Sequence, residues 1–452
     1  MRIILIGAGK VGYTLAEQLT LEKHDVTIID NDEEALLHAA ENLDVMYIIG
    51  NGASLTMLKE AGAATADVAI AVTTNDEVNM LCCITAKKLG TKYTAARIRD
   101  PEYVRDVHHF KRQLDIDLVI NPEQSTAGEI LRLLRFPSAV EIETFLRGRV
   151  ELISFRAGRD DKVVGLSVLQ LRKLAGVAIL VCIVERGGEV HIPRGDFLIE
   201  AEDLIYVTGK LADITKFFRA IGRATNMVSD VMILGGGRIA HYLTRLALRI
   251  GIKPRIIEVN EALCERLAGD IPQATVICGD GTEQELLEAE NIRGMDGFVA
   301  LSGRDEDNMM ISLFARQCGV RKVIVKTNRT NYTALIKSLG VESVVSPKEI
   351  TTNHMLHFIR GLENSRGSTV ETLYRMSGGR IEALEFIVRK DMKNLGEKIS
   401  KLPLKRGLLI TVIARGGKII IPEGEDCFMD GDSVIIVTQH LGFKDLNDIF
   451  DT

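Results

Sequence analysis

Twice in this chain a short apolar run is broken by a glycine turn and followed, at one fixed distance, by an acid. Ile3-Ile4-Leu5-Ile6 leads into Gly7-Ala8-Gly9-Lys10-Val11-Gly12, and a second apolar run closes on Asp30. Ile233-Leu234 leads into Gly235-Gly236-Gly237-Arg238-Ile239-Ala240, and Glu258 takes the place of the acid. The interval from Gly12 to Asp30 and from Ala240 to Glu258 is 18 residues in both cases. Strand, tight glycine turn, helix, strand and acid together are the dinucleotide-binding fingerprint of a doubly wound sheet. Gly7 permits the tight turn, Gly9 lets the backbone approach a pyrophosphate, and Gly12 lets helix and strand pack closely. The helix opening at Lys10 points unpaired N–H groups and about half a positive charge at that phosphate. Asp30 and Glu258 can accept hydrogen bonds from both hydroxyls of a ribose, whereas a 2′-phosphate would be repelled. NAD or NADH is therefore expected rather than NADP.

The rest of the chain repeats with the same register. The glycine turns, Gly7 and Gly235, are 228 positions apart; Asp76 and Asp305, the hairpin glycines Gly187 and Gly416, and Pro193 and Pro422 are each 229 apart. A tandem duplication is expected, each copy made of a nucleotide domain and a small α+β module. The expected boundaries are 1–123 and 229–348 for the nucleotide domains, and 139–222 and 368–450 for the modules. Linkers are expected near 123–138, 223–229 and 349–367, the first and third helical.

In the first nucleotide domain, strands are expected at Ile3 to Ile6, Val26 to Ile29, Met46 to Ile49, Val68 to Val72, Thr94 to Ile98 and Leu118 to Ile120. Helical stretches lie between them at Leu36 to Leu43, Leu55 to Ala61 and Val78 to Leu89. Continuous apolar strands alternating with amphipathic helices indicate a parallel sheet covered on both faces, with ligands outside the strands' carboxyl ends. That rule selects Asn51 after the third strand, Thr73 and Thr74 after the fourth, and Arg97 at the end of the fifth. In the second copy it selects Asp280, Ser302 and Lys326. Thr73 and Thr74 offer hydroxyls near the phosphates or the nicotinamide-side ribose, and Arg97 can reach a phosphate. Asp76 and Glu77 read equally as ligands or as acids favouring a helix start. Lys10 and Arg238 could meet an extra phosphate of ATP or ADP, or could be plain exposed residues at a helix start.

The modules read as strands at Val150 to Phe155, Ala178 to Val184, His191 to Pro193 and Asp203 to Val207, with a helix near Leu166 to Leu174 and a hairpin at Gly187-Gly188. No catalytic constellation is visible in them.

Composition narrows the function classes. A net charge of −6 argues against nucleic acid as a main partner. No apolar run approaches the 18 residues of a membrane span, and the first strand begins at once, leaving no room for a signal peptide. The seven cysteines form no CxxC pair and have no zinc-like spacing to histidine, so they read as reduced core residues of a cytosolic protein. His108-His109, His354 and His357 read as structural or surface residues.

Several segments resemble one family. Beside the glycine turn and Asp30, these are Val72-Thr73-Thr74-Asn75-Asp76-Glu77-Val78-Asn79, Ala96-Arg97-Ile98-Arg99-Asp100-Pro101-Glu102-Tyr103 and Asn121-Pro122-Glu123-Gln124. Together they are similar to the RCK or KTN nucleotide-sensing domains, and the hairpin modules resemble that family's C-terminal subdomain. Asn51 stands where the family usually has aspartate; Asp280 keeps it. The resemblance implies two Rossmann-like domains and two RCK C-terminal-type modules. It further implies a cytoplasmic, non-enzymatic regulatory subunit, peripheral on the inner face of the membrane. Such a subunit would form a homo-oligomeric ring on a Trk-type potassium-translocating membrane protein and gate it in response to NAD(H) or ATP/ADP. The competing readings are a nicotinamide-dependent dehydrogenase, which would need a substrate domain with a positioned acid or base, and an assembly scaffold with empty clefts.

Overall fold

The computed structural model describes residues 1–105, 113–146, 149–223, 227–329, 331–364, 370–376, 380–443 and 445–451. His108 and His109, and parts of the expected linkers at 223–229 and 349–367, lie outside the described residues.

The protein is α/β, with two Rossmann-like parallel sheets and two smaller antiparallel ones. The first sheet comprises β1 (Arg2–Ile6), β2 (Asp25–Asp30), β3 (Met46–Ile49), β4 (Val68–Ala71), β5 (Tyr93–Arg97) and β6 (Leu118–Ile120). Their order is β3-β2-β1-β4-β5-β6, and every pairing is parallel. The direction of winding reverses between β1 and β4, which opens a crevice at their carboxyl ends. The inner strands are buried on both faces, as shown by the unbroken buried runs Ile3 to Ile6 and Val68 to Ala71.

The first module contributes β7 (Ile142–Phe145), β8 (Val150–Arg156), β9 (Ile179–Arg186), β10 (Glu189–His191) and β11 (Leu204–Gly209), in the order β10-β9-β11-β8-β7. The second Rossmann-like sheet comprises β12 (Asp230–Leu234), β13 (Lys253–Glu258), β14 (Thr275–Cys278), β15 (Gly297–Ala300), β16 (Lys322–Lys326) and β17 (Ser343–Val345). Its order β14-β13-β12-β15-β16-β17 repeats the first. The last sheet, β18 (Val370–Met376), β19 (Ile381–Ile387), β20 (Leu408–Arg415), β21 (Lys418–Ile420) and β22 (Ser433–Thr438), has the order β18-β19-β22-β20-β21.

Two local features differ from expectation. The strand expected at His191 to Pro193 is Glu189–His191, because the hairpin glycines Gly187 and Gly188, with φ of 56° and 86°, turn the chain directly into pairing with β9. Strand β7 and the helix Leu211–Ala220 were not expected. The segment expected as a helical first linker, 123–138, holds the helix Pro122–Arg135, which buries Thr126, Ala127 and Ile130 completely.

Packing divides the chain differently from its repeats. One compact unit holds Met1–Ile130, Val231–Gly319 and Ile324–Ile359, so it contains both glycine turns; the other holds Leu131–Asp230, Val320–Val323 and Arg360–Thr452. Within the first unit, Ser125 Oγ and His354 Nδ1, 229 positions apart, meet at 3.3 Å. Residues at corresponding places in the two copies meet there, as at the centre of an isologous contact. Within the second unit the modules share one apolar core, where Phe145, Val150, Ile183 and Tyr206 pack with Ile381, Ala383, Val412 and Ile435.

Candidate functional site

Gly7 has φ of 111°, and a Cβ there would lie 3.1 Å from the Thr73 nitrogen, so the turn requires glycine. Around Gly9 nothing comes within 4 Å of where a Cβ would stand. The fold leaves that position bare without needing it so, which is the space a phosphate would use. The helix Lys10–Leu21 starts there with no side-chain cap, as does Arg238–Arg249 after Gly237. By contrast, Asp32 caps the next helix by accepting from Ala35 N–H, and Asn75 caps another by accepting from Val78 N–H. The uncapped starts keep free donors for an anion.

Asp30 Oδ2 accepts from the Ala8 N–H at 2.5 Å and Oδ1 from the Asp32 N–H at 3.0 Å. Glu258 repeats this with Gly236 at 2.6 Å and Asn260 at 2.8 Å. Each carboxylate is thus fixed by its own glycine loop and retains lone pairs for ribose hydroxyls. Asn51 Oδ1 accepts from Ala53 N–H at 2.9 Å, and Asp280 Oδ1 from Thr282 N–H at 2.9 Å. Both residues close the same turn, so the exchange of amide for carboxylate changes charge, not shape. The backbone and hydroxyl of Thr282 hold the Asp280 carboxyl below its ordinary range.

A cleft of about 730 Å³ lies at the carboxyl ends of the first sheet. Gly7, Gly9, Lys10, Val11, Asp30, Asn51, Thr73, Thr74 and Arg97 all line it. Ala8 serves it indirectly, through the hydrogen bond to Asp30. Ile239, expected at the second loop, lines this first cleft, together with Glu123, Lys326, Asn328 and Lys348. The role of these four in the first cleft was missed, because they come from a connecting helix and from the other copy. Burial pushes the Glu123 carboxyl upward, against the pull of Arg97, Arg99 and Arg238, and pushes Arg97 and Lys326 downward. Among the described residues, buried Arg97 Nε and Glu123 Oε2 have no hydrogen-bond partner. Buried polar atoms are seldom left so, and a bound polar ligand would satisfy them.

Several of these residues are also held by contacts within the protein. Asp76 accepts from the backbone N–H groups of Arg99 at 2.7 Å and Asp100 at 2.8 Å, and Asp305 does the same for Asn328 and Arg329. Neither acid is the helix cap, and both tie β5 or its counterpart to the neighbouring helix. The Thr73 hydroxyl lies 2.7 Å from Asn79 Oδ1 and the Ser302 hydroxyl 3.1 Å from the Arg304 carbonyl, so both are engaged within the protein.

Asn79, fully buried, holds the cleft floor: its Oδ1 accepts from Thr73 N–H at 2.9 Å and its Nδ2 donates to the Arg97 carbonyl at 2.8 Å. Asn308 repeats the arrangement with Ser302 at 2.8 Å and Lys326 at 3.1 Å. Asn79→Ala should cost about 2–3 kcal/mol, since buried backbone groups lose their partners. Chemical denaturation would show the loss, and an unchanged midpoint would refute the role.

The TrkA-N domain family model matches residues 3–122 and again 231–347, and the TrkA-C domain model matches 152–222. The chain is 37% identical over 447 residues to "Trk system potassium uptake protein TrkA homolog 1" of Methanosarcina mazei, covering 97% of each. It is 32% identical over 457 residues to "Trk system potassium uptake protein TrkA" of Halomonas elongata, covering 100% of this chain and 98% of that one. Among solved structures, the GsuK channel bound to NAD superposes with a TM-score of 0.63 at 17% identity, over 97% of this chain and 76% of that one. GsuK bound to ADP gives 0.52 at 14% identity, over 80% and 69%. At such identities the structures establish the fold alone.

Proposed function

Since this chain belongs to the TrkA family of Trk-system potassium uptake proteins, we propose that it is a regulatory subunit whose two clefts bind NAD(H) or ATP/ADP. Nucleotide binding sets the conductance of a potassium-translocating membrane protein. The subunit works as a homo-oligomeric ring on the cytoplasmic face of the membrane. Among the described residues no helix is long and apolar enough to cross a membrane, which fits a peripheral role.

The observation that carries the reading is the repeated geometry of a bare glycine, an uncapped helix start and a carboxylate locked to the same loop. In the first cleft, the N–H groups after Gly9 would hold phosphate, Asp30 the ribose, and Arg97 with Lys326 further negative charge. The second loop offers Gly237, Arg238 and Glu258 for the same parts. Named relatives support the potassium-transport half of the proposal, and the NAD and ADP complexes of a like-folded channel support the nucleotide half. Gating requires that the nucleotide bind one ring shape more tightly than another.

A dehydrogenase would consume NADH steadily with a small carbonyl substrate, and nothing in the family comparisons favours that reading. NADH, NAD, ATP or ADP at about 100 times its dissociation constant should stabilise the folded protein by about 2.7 kcal/mol. Thermal melting with each nucleotide tests this. Asp30→Ala should weaken the first site and Glu258→Ala the second. No shift with any of the four nucleotides at saturating concentration would end the sensor reading.

A further inference from the structure

The duplication provides an internal comparison, and at one place the copies differ in chemistry. In the first copy, Asp30 of β2 pairs in register with Ile49 of β3, and the fourth residue of the following helix, Glu33–Asn42, is Leu36. In the second copy, Glu258 of β13 pairs with Cys278 of β14, and the fourth residue of the helix Glu261–Asp270 is Cys264. Two hydrocarbon side chains have become two thiols, both beside the carboxylate expected to hold ribose. Cys278 is exposed and Cys264 is buried. Cys264 Sγ lies 3.2 Å from the Glu258 carbonyl oxygen, and burial first, then the neighbouring Cys278 thiol, push the Cys264 thiol upward.

We propose that Cys264 and Cys278 form a reversible dithiol–disulfide pair that lowers nucleotide affinity at the second cleft when oxidised by a hydroperoxide. This rests on the nucleotide reading above. The exposed Cys278 reacts first: its sulfur attacks the peroxide, an S–O bond forms, the O–O bond breaks, and the leaving oxygen departs with the thiol proton. Cys264 sulfur then displaces the sulfenic oxygen. The S–S bond forms, the S–O bond breaks, and water leaves with the second thiol proton. The two sulfurs together lose two electrons and the peroxide gains two. Burial raises the Cys264 thiol to about 11, so it stays protonated and the exposed Cys278 meets the peroxide first. Cys82, Cys83 and Cys182 are buried with their thiols pushed up, and they remain inert.

The bond would join the end of β14 to the helix Glu261–Asp270 across Glu258. It removes the thiol donor from the Glu258 carbonyl and draws the Gly279-Asp280 turn over the carboxylate. The first cleft has no counterpart, since Leu36 and Ile49 cannot be joined.

The test treats the full-length protein with hydrogen peroxide and follows peptide masses and ADP binding by calorimetry. A Cys264–Cys278 peptide lighter by two hydrogen atoms is expected, lost on dithiothreitol treatment and absent in Cys278→Ser. In an Asp30→Ala background, where the second cleft reports, oxidation should weaken ADP about tenfold. In a Glu258→Ala background, where the first cleft reports, affinity should not change. Failure to form the cross-link overturns the proposal, as does a cross-link that leaves ADP affinity in the Asp30→Ala protein unaltered. If reduced protein of neither background binds ADP or NADH, the nucleotide reading fails and the coupling with it, whatever the masses show.

Discussion

Gly9→Asp is expected to abolish nucleotide binding at the first cleft while leaving the fold intact. The two effects separate because the space beyond Gly9 is empty of protein atoms out to 4 Å, so a new side chain meets only the ligand's place. The carboxylate would take the N–H groups at the uncapped start of Lys10–Leu21 and repel the phosphate that should occupy them. Hydrogen bonds to a charged group are worth about 1.5–3 kcal/mol each, so losing one or two and adding repulsion should weaken binding by about 10²-fold or more. Calorimetry with NADH and ADP should show one site where the unaltered protein is expected to show two, and Gly237→Asp should remove the other. Since an aspartate at this helix start acts as a cap, thermal stability without nucleotide should hold or rise slightly. Undiminished binding at both clefts would mean that phosphate does not sit at the glycine loops.

Arg186→Ala should cost about 3 kcal/mol of stability, the largest loss expected from a single exposed-tip side chain in the modules. Asp203 is fully buried, and Arg186 grips it with two hydrogen bonds of 2.7 Å while donating to the Leu198 carbonyl at 2.8 Å. Among the described residues, removing the guanidinium leaves the buried carboxylate with the Glu200 N–H at 2.8 Å alone, and a broken buried pair is far more costly than an absent one. The second module repeats the device: Arg415 binds Asp432 at 2.8 and 2.7 Å. Because both modules contribute to one apolar core, Arg415→Ala should lower the same unfolding transition as Arg186→Ala. Urea denaturation followed by circular dichroism checks both. Two separate transitions, each sensitive to one substitution only, would show that the modules fold independently.

The two predictions draw on different kinds of information, and the difference shows where sequence reading stopped. The glycine loops, their acids and most strands of the first sheet were legible because each depends on neighbours in the chain. Gly7 is needed by its own turn, and Asp30 reaches a loop only 22 residues away. Asp76 was half-read: its position at a helix start was visible, but its partners Arg99 and Asp100 lie across the sheet.

The amino-acid order alone determined the duplication, the doubly wound class, and the repeated pairing of bare loop with carboxylate, because periodicity and turn chemistry act over a few residues. Tertiary structure alone decided that the copies interleave, glycine-loop domains with each other and modules with each other. It therefore also decided that Glu123, Lys326 and Lys348 share a cleft with Gly9. Contacts such as Ser125 with His354 span 229 positions and leave no local pattern. They arise where corresponding surfaces of the two copies meet, which no stretch of either copy encodes by itself.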